Sequence, residues 1–305
     1  MGWSTSDIPD QTGRVVVITG ANSGIGFEAA KAVSRKGAHV IMACRNLAKA
    51  EVASAEVGGT AEVRQLDVSD LSSVRAFAGD LDGQIDVLMN NAGIMAVAQA
   101  RTPDGFESQF GTNFLGHYAL TGLLLPRVSD RVVTLSSMAH RFGRVNLADP
   151  NFEHRRYHPW VAYGQSKLAD LMFAYDLQRR LLLAGSRVRS VAAHPGYAST
   201  NLQAHLGGAW AQRAQGLLAR VSPFVQGAAG GALPSLYAAT APDVPGGSYV
   251  GPSGPGEMTG PPRIVGSSGA SHNRATQRGL WDLAERLTGV AFPLPGEAGG
   301  TPQDL

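Results

Sequence analysis

The sequence predicts an α/β domain built on a doubly wound parallel sheet of seven strands, with helices on both faces. Three observations carry that prediction. Short apolar runs rich in β-branched residues recur, helical stretches separate them over about 240 residues, and the first run ends in a glycine cluster that opens a helix. Strands buried on both faces should be near-continuously apolar, and most of these are, the run from Glu62 to Leu66 excepted. We expect a leader over 1–12, one domain over 13–250, and a Gly/Pro-rich tail with a last helix over 251–305 packed on that domain.

With 305 residues and 44% hydrophobic content, the chain can bury a large core. The formal net charge is +2, with 26 basic and 24 acidic residues and no long run of either sign, so no footprint for nucleic acid is expected. The single cysteine, Cys44, can form no internal disulfide, which suits a reducing, cytoplasmic setting. No apolar run approaches the ~20 residues of a spanning helix, and the start lacks the pattern of a secretory signal. Met1-Gly2-Trp3-Ser4-Thr5-Ser6 fits the bare myristoylation pattern, but its few fixed positions are often met by accident, so a flexible leader is expected.

The first strand, Arg14 to Thr19, runs into Gly20-Ala-Asn-Ser-Gly24-Ile-Gly26 and a helix from Phe27 to Lys36. Glycines there let backbone approach a pyrophosphate, and free N–H groups at a helix start bind its charge, as in Rossmann-type nucleotide folds. The spacing G-x-x-x-G-x-G departs from G-x-G-x-x-G. The second strand, Ala38 to Ala43, leads into Cys44-Arg45-Asn46. An acidic residue at that point would grip a ribose 2′-hydroxyl, whereas arginine accommodates a 2′-phosphate. Since Ala38 to Ala50 contains no Asp or Glu, Arg45 favours NADP(H) over NAD(H).

Glu62 to Leu66 reads as a third strand, followed by Asp67-Val68, where the carboxylate suits either the adenine amino group or a cap for the helix near Asp70. Ile85 to Met89 is a fourth strand, ending in Asn90-Asn91-Ala92-Gly93, small residues suited to backbone lying against a ligand. Gly105 to Leu125 reads as a helix with Asn113 inside, either a buried hydrogen-bond hub or a solvated residue. Arg131 to Leu135 is a fifth strand ending at Ser136-Ser137, and Met138 to Pro159 is a polar surface excursion.

Val161 to Leu183 forms a long helix carrying Tyr163-Gly-Gln-Ser-Lys167. Tyrosine and lysine one turn apart share a face and can act as an acid/base unit. A phenol titrates near ~10, and bringing it to about 7 takes roughly 4 kcal/mol, which one ammonium about 4 Å away supplies at an effective dielectric near 20. Arg187 to Ala193 is a sixth strand ending in His194-Pro195-Gly196. The apolar stretch beyond, with Leu202, Leu206, Trp210, Leu217 and Leu218, reads as a core helix by default or, functionally, as a lid over 198–223. Gly227 to Ala239 is a helix, Ser248 to Val250 the last strand, Gly251 to Ser271 an irregular loop, and Thr276 to Leu287 a final helix. His154 and His158 lack accompanying carboxylates, so no metal site is expected.

Together these motifs resemble the short-chain dehydrogenases/reductases of the classical type: Thr19-Gly20-x-x-x-Gly24-x-Gly26, Asn90-Asn91-Ala92-Gly93, Asn113, Ser137, Tyr163-x-x-x-Lys167 and Pro195-Gly196 fall in matching order over roughly 13–250. Ala43-Cys44-Arg45-Asn46, Ser136-Ser137-Met-Ala-His140 and the long interval to Tyr163 look like the retinol dehydrogenase and WW-domain oxidoreductase branch. Light-dependent protochlorophyllide reductases share part of the pattern.

The resemblance implies an oxidoreductase acting on an alcohol or carbonyl of a lipophilic small molecule. In it Ser137 binds the substrate oxygen, Tyr163 exchanges the proton, Lys167 holds the nicotinamide ribose and acidifies Tyr163, and Asn113 fixes a relay water. It also implies a cofactor surface of Gly20, Asn22, Ser23, Gly24, Ile25, Gly26, Arg45, Asn46, Asp67, Val68, Asn91, Ala92, Gly93, Tyr163, Lys167, Pro195, Gly196 and Thr200. A homo-oligomer is compatible with the sequence. The alternative is a non-catalytic NADP(H)-sensing regulator or scaffold, which would need none of the Asn113, Ser137, Tyr163 and Lys167 set.

Overall fold

A computed structural model describes residues 2–197 and 226–294. Thr200 and the lid expected over 198–223 lie outside the described residues. The sheet runs β3-β2-β1-β4-β5-β6-β7-β8. Its strands are β1 (Val15–Thr19), β2 (His39–Cys44), β3 (Thr60–Gln65), β4 (Ile85–Asn90), β5 (Val128–Leu135), β6 (Arg189–Ala193), β7 (Tyr249–Pro252) and β8 (Pro262–Ile264). The first seven pair in parallel, and β8 pairs antiparallel to β7.

The eighth strand corrects the expected seven. It lies inside the segment read as an irregular loop, because three residues opened by Pro262 are too short to show an alternating pattern.

Alternation along the strands explains the two cores. Val16 and Ile18 of β1 face one apolar cluster and Val17 the other, so both faces of the sheet are covered. On one face lie α1 (Gly24–Ser34), α2 (Leu47–Val57) and, later in the chain, α7 (Ala228–Thr240), where small residues such as Ala29, Ala30, Ala232 and Ala239 allow close packing. The other face carries α3 (Leu71–Asp80), α4 (Ser108–Phe110), α5 (Gly116–Leu124), α6 (Pro159–Leu183) and α8 (Arg274–Thr288). There Trp281 of α8 sits 5.2 Å from the Tyr118 ring and 5.9 Å from Phe173, with Phe292 at 4.5 Å. Aromatic pairs of this kind add about 0.5–1.5 kcal/mol each beyond their burial.

Two local departures have plain causes. The leader is packed rather than free: Ile8 is buried, Gln11 is fully buried, and Trp3 meets Tyr237 of α7 edge-on at 5.3 Å. Helix α2 shows no apolar period in the sequence because it buries only Ala50, Ala53 and Val57, and Asn46 starts it by accepting from the Lys49 N–H at 2.9 Å.

Strand order reverses between β1 and β4, and at such a switch point the carboxyl ends of the strands part to leave a crevice. The turns after β1, β4, β5 and β6 all open on that side.

Candidate active site

The glycine turn after β1 is tied to its neighbours by Thr19 and Asn91. The Thr19 hydroxyl accepts from the backbone N–H groups of Asn91 and Ala92, each at 2.9 Å, while Asn91 Nδ2 donates to the Thr19 carbonyl at 2.7 Å. Gly20 and Gly24 adopt φ of +67° and +58°. A Cβ on Gly26 would lie 2.4 Å from Asn91 Nδ2 and 2.6 Å from the Gly20 carbonyl, so only glycine fits where the helix starts against the turn. Ser23, the N-cap of α1, makes no side-chain cap bond. The Ser23 side chain therefore leaves the start of α1 uncapped, an arrangement that suits an anion.

Next along the crevice, Arg45 projects from the end of β2 with its side chain 74% exposed, and its Nε is 3.8 Å from Asp67 Oδ2. Asp67 Oδ1 accepts from the N–H and hydroxyl of Ser69, so this carboxylate shapes the turn. The cap of α3 is Asp70, which accepts from Ser72 and Ser73. Val68 is buried in the core beneath.

Tyr163 and Lys167 come together on the buried face of α6. Tyr163 is 6% exposed, with the Trp160 ring edge-on at 6.0 Å. The Lys167 ammonium donates to the Leu135 carbonyl and to Asp170 Oδ2, both at 2.8 Å. Ser136 Oγ donates to the Lys167 carbonyl at 2.7 Å. These bonds fasten the helix face to the end of β5. A Cβ on Gly93 would be 3.1 Å from Asn113 Oδ1 and 3.7 Å from Lys167 Nζ, so the turn after β4 reaches the same point. Burial pushes the Asp170 carboxyl up to about 6 against the pull of Lys167. Desolvation opposes the Lys167 charge, and Asp170 and then Tyr163 outweigh it, leaving the ammonium above the ordinary lysine value.

Asn113 is the buried hub of the two options. It lies in a π-helical turn, Gly111–Leu115, between α4 and α5. Its Oδ1 accepts from the Ile94 N–H at 2.8 Å, and its Nδ2 donates to the Ile94 carbonyl and to Ser166 Oγ, both at 2.9 Å. Its backbone carbonyl accepts from His117 Nδ1 at 2.8 Å, and His117 Nε2 lies 2.9 Å from Thr19 Oγ1. A carbonyl cannot donate, so Nδ1 carries the proton and Nε2 takes the Thr19 hydroxyl proton. Burial holds His117 down to about 4, keeping it neutral.

At the far end, Ser137 caps the turn after β5, its Oγ accepting from the Ala139 N–H at 3.2 Å. Behind it, His140 Nδ1 donates to the Ser137 carbonyl at 2.7 Å and Nε2 accepts from Ser268 N–H at 3.2 Å. The Pro195-Gly196 loop after β6 is held by the tail: Tyr197 N–H donates to the Met258 carbonyl at 2.9 Å, and buried His194 lies 3.2 Å from Glu257. His194, then Arg141, holds the Glu257 carboxyl down to about 2.

A sequence model of the short chain dehydrogenase family matches residues 14–209. The chain belongs to the short-chain dehydrogenase/reductase family. Among its relatives, retinol dehydrogenase 12 of Mus musculus is 38% identical over 293 residues, covering 92% of this chain and 88% of that one. Retinol dehydrogenase 13 of Homo sapiens is 42% identical over 207 residues, 64% of this chain and 62% of its own. A crystal structure of an uncharacterized protein from Mycobacterium Paratuberculosis is 51% identical, with a TM-score of 0.84 over 96% of this chain and 100% of that one. Another, described as a candidate NAD(P)-dependent gluconate 5-dehydrogenase from Beutenbergia cavernae with NADP bound at low occupancy, is 27% identical with a TM-score of 0.58, covering 75% and 90%.

This short-chain dehydrogenase/reductase is thus an oxidoreductase of retinol dehydrogenase-like sequence, from a family that binds NAD(P)(H). No helix among the described residues is long and apolar enough to cross a membrane. Sequence reasoning placed Thr19 in the glycine motif without a role of its own, and missed His117 and Asp170. The last two sit four residues after Asn113 and three after Lys167, the helical spacings that place side chains beside one another.

Proposed function

We propose that this short-chain dehydrogenase/reductase uses NADP(H), rather than NAD(H), to interconvert an alcohol and a carbonyl on a lipophilic small molecule, with Tyr163 as proton donor and acceptor. The observation that carries it is the pairing of Tyr163 and Lys167 on one buried face of α6, beside Gly93. The cofactor, when bound, supplies or accepts the hydride. Gly20, Asn22, Ser23, Gly24, Ile25 and Gly26 would hold its pyrophosphate, with Asn91, Ala92, Gly93, Pro195 and Gly196 along its length. Arg45 and Asn46 would meet the 2′-phosphate, and Asp67 and Val68 the adenine.

In the reducing direction, Ser137 Oγ donates to the substrate carbonyl and polarises it, and Tyr163 delivers its phenolic proton to that oxygen. The charge of Lys167 stabilises the phenolate left behind, and positioning with proton transfer carries the rest of the rate. The Asn113 amide is committed to Ile94 and Ser166, so a relay water would rest on its backbone carbonyl, beside His117. A lipophilic substrate is supported by exposed Trp160, edge-on to Tyr163, by exposed Phe142 against Gly164, and by the retinol dehydrogenase names of the relatives. The lone cysteine, Cys44, which is buried, suits a cytoplasmic setting.

A panel of hydrophobic aldehydes, ketones and alcohols, followed by nicotinamide absorbance with each cofactor, tests the reading. Turnover with NADP(H) is expected on part of the panel, and Tyr163→Phe should abolish it while leaving NADPH fluorescence enhancement intact. Retained turnover in that variant removes the proton-transfer role.

A further inference from the structure

We infer that Asp170 is a positioning residue of this reaction: its buried carboxylate fixes the Lys167 ammonium in place and keeps it charged. The inference rests on the reading of Tyr163 and Lys167 as the acid/base pair. Tyr163, Lys167 and Asp170 occupy positions i, i+4 and i+7 of α6, a single helix face. Asp170 Oδ2 takes the Lys167 ammonium at 2.8 Å where both side chains are nearly inaccessible, 7% and 2% exposed. The other anchor of that ammonium is a neutral carbonyl, that of Leu135.

A buried ion pair is a poor way to stabilise a fold, since desolvation cancels most of the attraction and apolar residues of similar size do as well. Placed on the reaction face, the pair has another effect. A buried lysine without a counter-ion sheds its proton, in extreme cases near neutrality, and a neutral amine would leave the Tyr163 phenolate without its stabilising charge.

The groups facing the ammonium make Asp170 the main source of compensation, ahead of Tyr163. On α6 these are Tyr163 and Asp170. From the π-turn and α5 come the neutral amide of Asn113 and the neutral imidazole of His117, and from β5 only a carbonyl. Asp170 Oδ1 has no hydrogen-bond partner, so the carboxylate is directed at the lysine alone among the described residues.

The chain contains four lysines, Lys31, Lys36, Lys49 and Lys167, so the Cε resonance of Lys167 can be followed in the full-length protein labelled with ¹³C-lysine. In the wild type it should keep its ammonium shift at least to the free-lysine range near ~10.4. Asp170→Asn should lower its midpoint by about one pH unit or more, a tenfold loss of proton affinity, and Asp170→Glu should restore it. Tyrosinate absorbance, taken as the difference between each protein and its Tyr163→Phe counterpart, should show the Tyr163 midpoint rising in Asp170→Asn.

An unchanged lysine midpoint, or a Tyr163 midpoint that stays or falls, overturns the inference. So does a wild-type Lys167 that titrates below the free-lysine value, which settles the matter even if the Asn variant does not fold. None of these readings needs substrate, so absence of turnover on every alcohol and carbonyl would defeat the proposed function without touching this result.

Discussion

His117 Nδ1 donates to the backbone carbonyl of Asn113 at 2.8 Å, and the same ring reaches across to Thr19, so one neutral imidazole joins the glycine turn to the π-turn. Its folded value, about 4, lies below the ordinary 6.5 because of burial. A depressed folded value means that its contribution to stability is fully present above pH 6.5 and is lost as pH falls through about 4. The loss is on the order of 3 kcal/mol, since each pH unit separating the folded from the unfolded value corresponds to ~1.36 kcal/mol. Thermal melts across that window should fall steeply in the wild type and more gently in His117→Gln.

Arg45 is exposed, and its charged neighbour is Asp67, at 3.8 Å. Charge-assisted hydrogen bonds contribute about 1.5–3 kcal/mol, so Arg45→Ala should weaken NADPH binding roughly ten- to a hundredfold and barely change NADH binding. Fluorescence titration with both cofactors checks this, and equal losses would remove the phosphate assignment.

Adjacent serines at the end of β5 should separate cleanly. Ser136 is buried and bonded to the Lys167 carbonyl, whereas Ser137 is half-buried and accepts from the Ala139 N–H. Ser136→Ala should cost about 1 kcal/mol of stability in denaturant titrations. Ser137→Ala removes the cap on the Ala139 N–H and should cost a similar ~1 kcal/mol of stability, but it should also cut kcat/KM by roughly a hundredfold or more, within the range for one positioned hydrogen-bond donor to a reacting oxygen.

Gly26→Ala forces a methyl group against Asn91 and the Gly20 carbonyl. Overpacking of this kind costs about 1–3 kcal/mol, and here it displaces the turn that would hold a pyrophosphate. Cofactor affinity should drop more than the melting temperature does.

Trp281→Ala empties the centre of the aromatic cluster joining α8 to α5 and α6. A loss of about 3–5 kcal/mol is expected from truncating a buried tryptophan, measured by denaturant unfolding.

Much of this architecture is legible in the chain. Strands such as Val15–Thr19 and Ile85–Asn90 announce themselves because burial on both faces makes most of their residues apolar. The glycine turn and the Tyr163/Lys167 face are readable because their chemistry demands fixed spacings. What stays hidden depends on neighbours distant in sequence. An aspartate within a helix, such as Asp170, looks solvated until β5 is known to lie against it. Thr19 passes for an ordinary β-branched strand residue until Asn91 and Ala92 arrive beside it. The leader looks free because the partner of Trp3 is Tyr237, more than two hundred positions away.

The short antiparallel β8 also governs how molecules meet at the rim of the sheet. Its three residues begin at Pro262, which offers no N–H, so a neighbouring chain finds too little backbone there to zip onto. The opposite margin, β3, carries Glu62 and Arg64, charges that discourage the same stacking. Both borders therefore limit themselves, and runaway β-type aggregation has no template at either end.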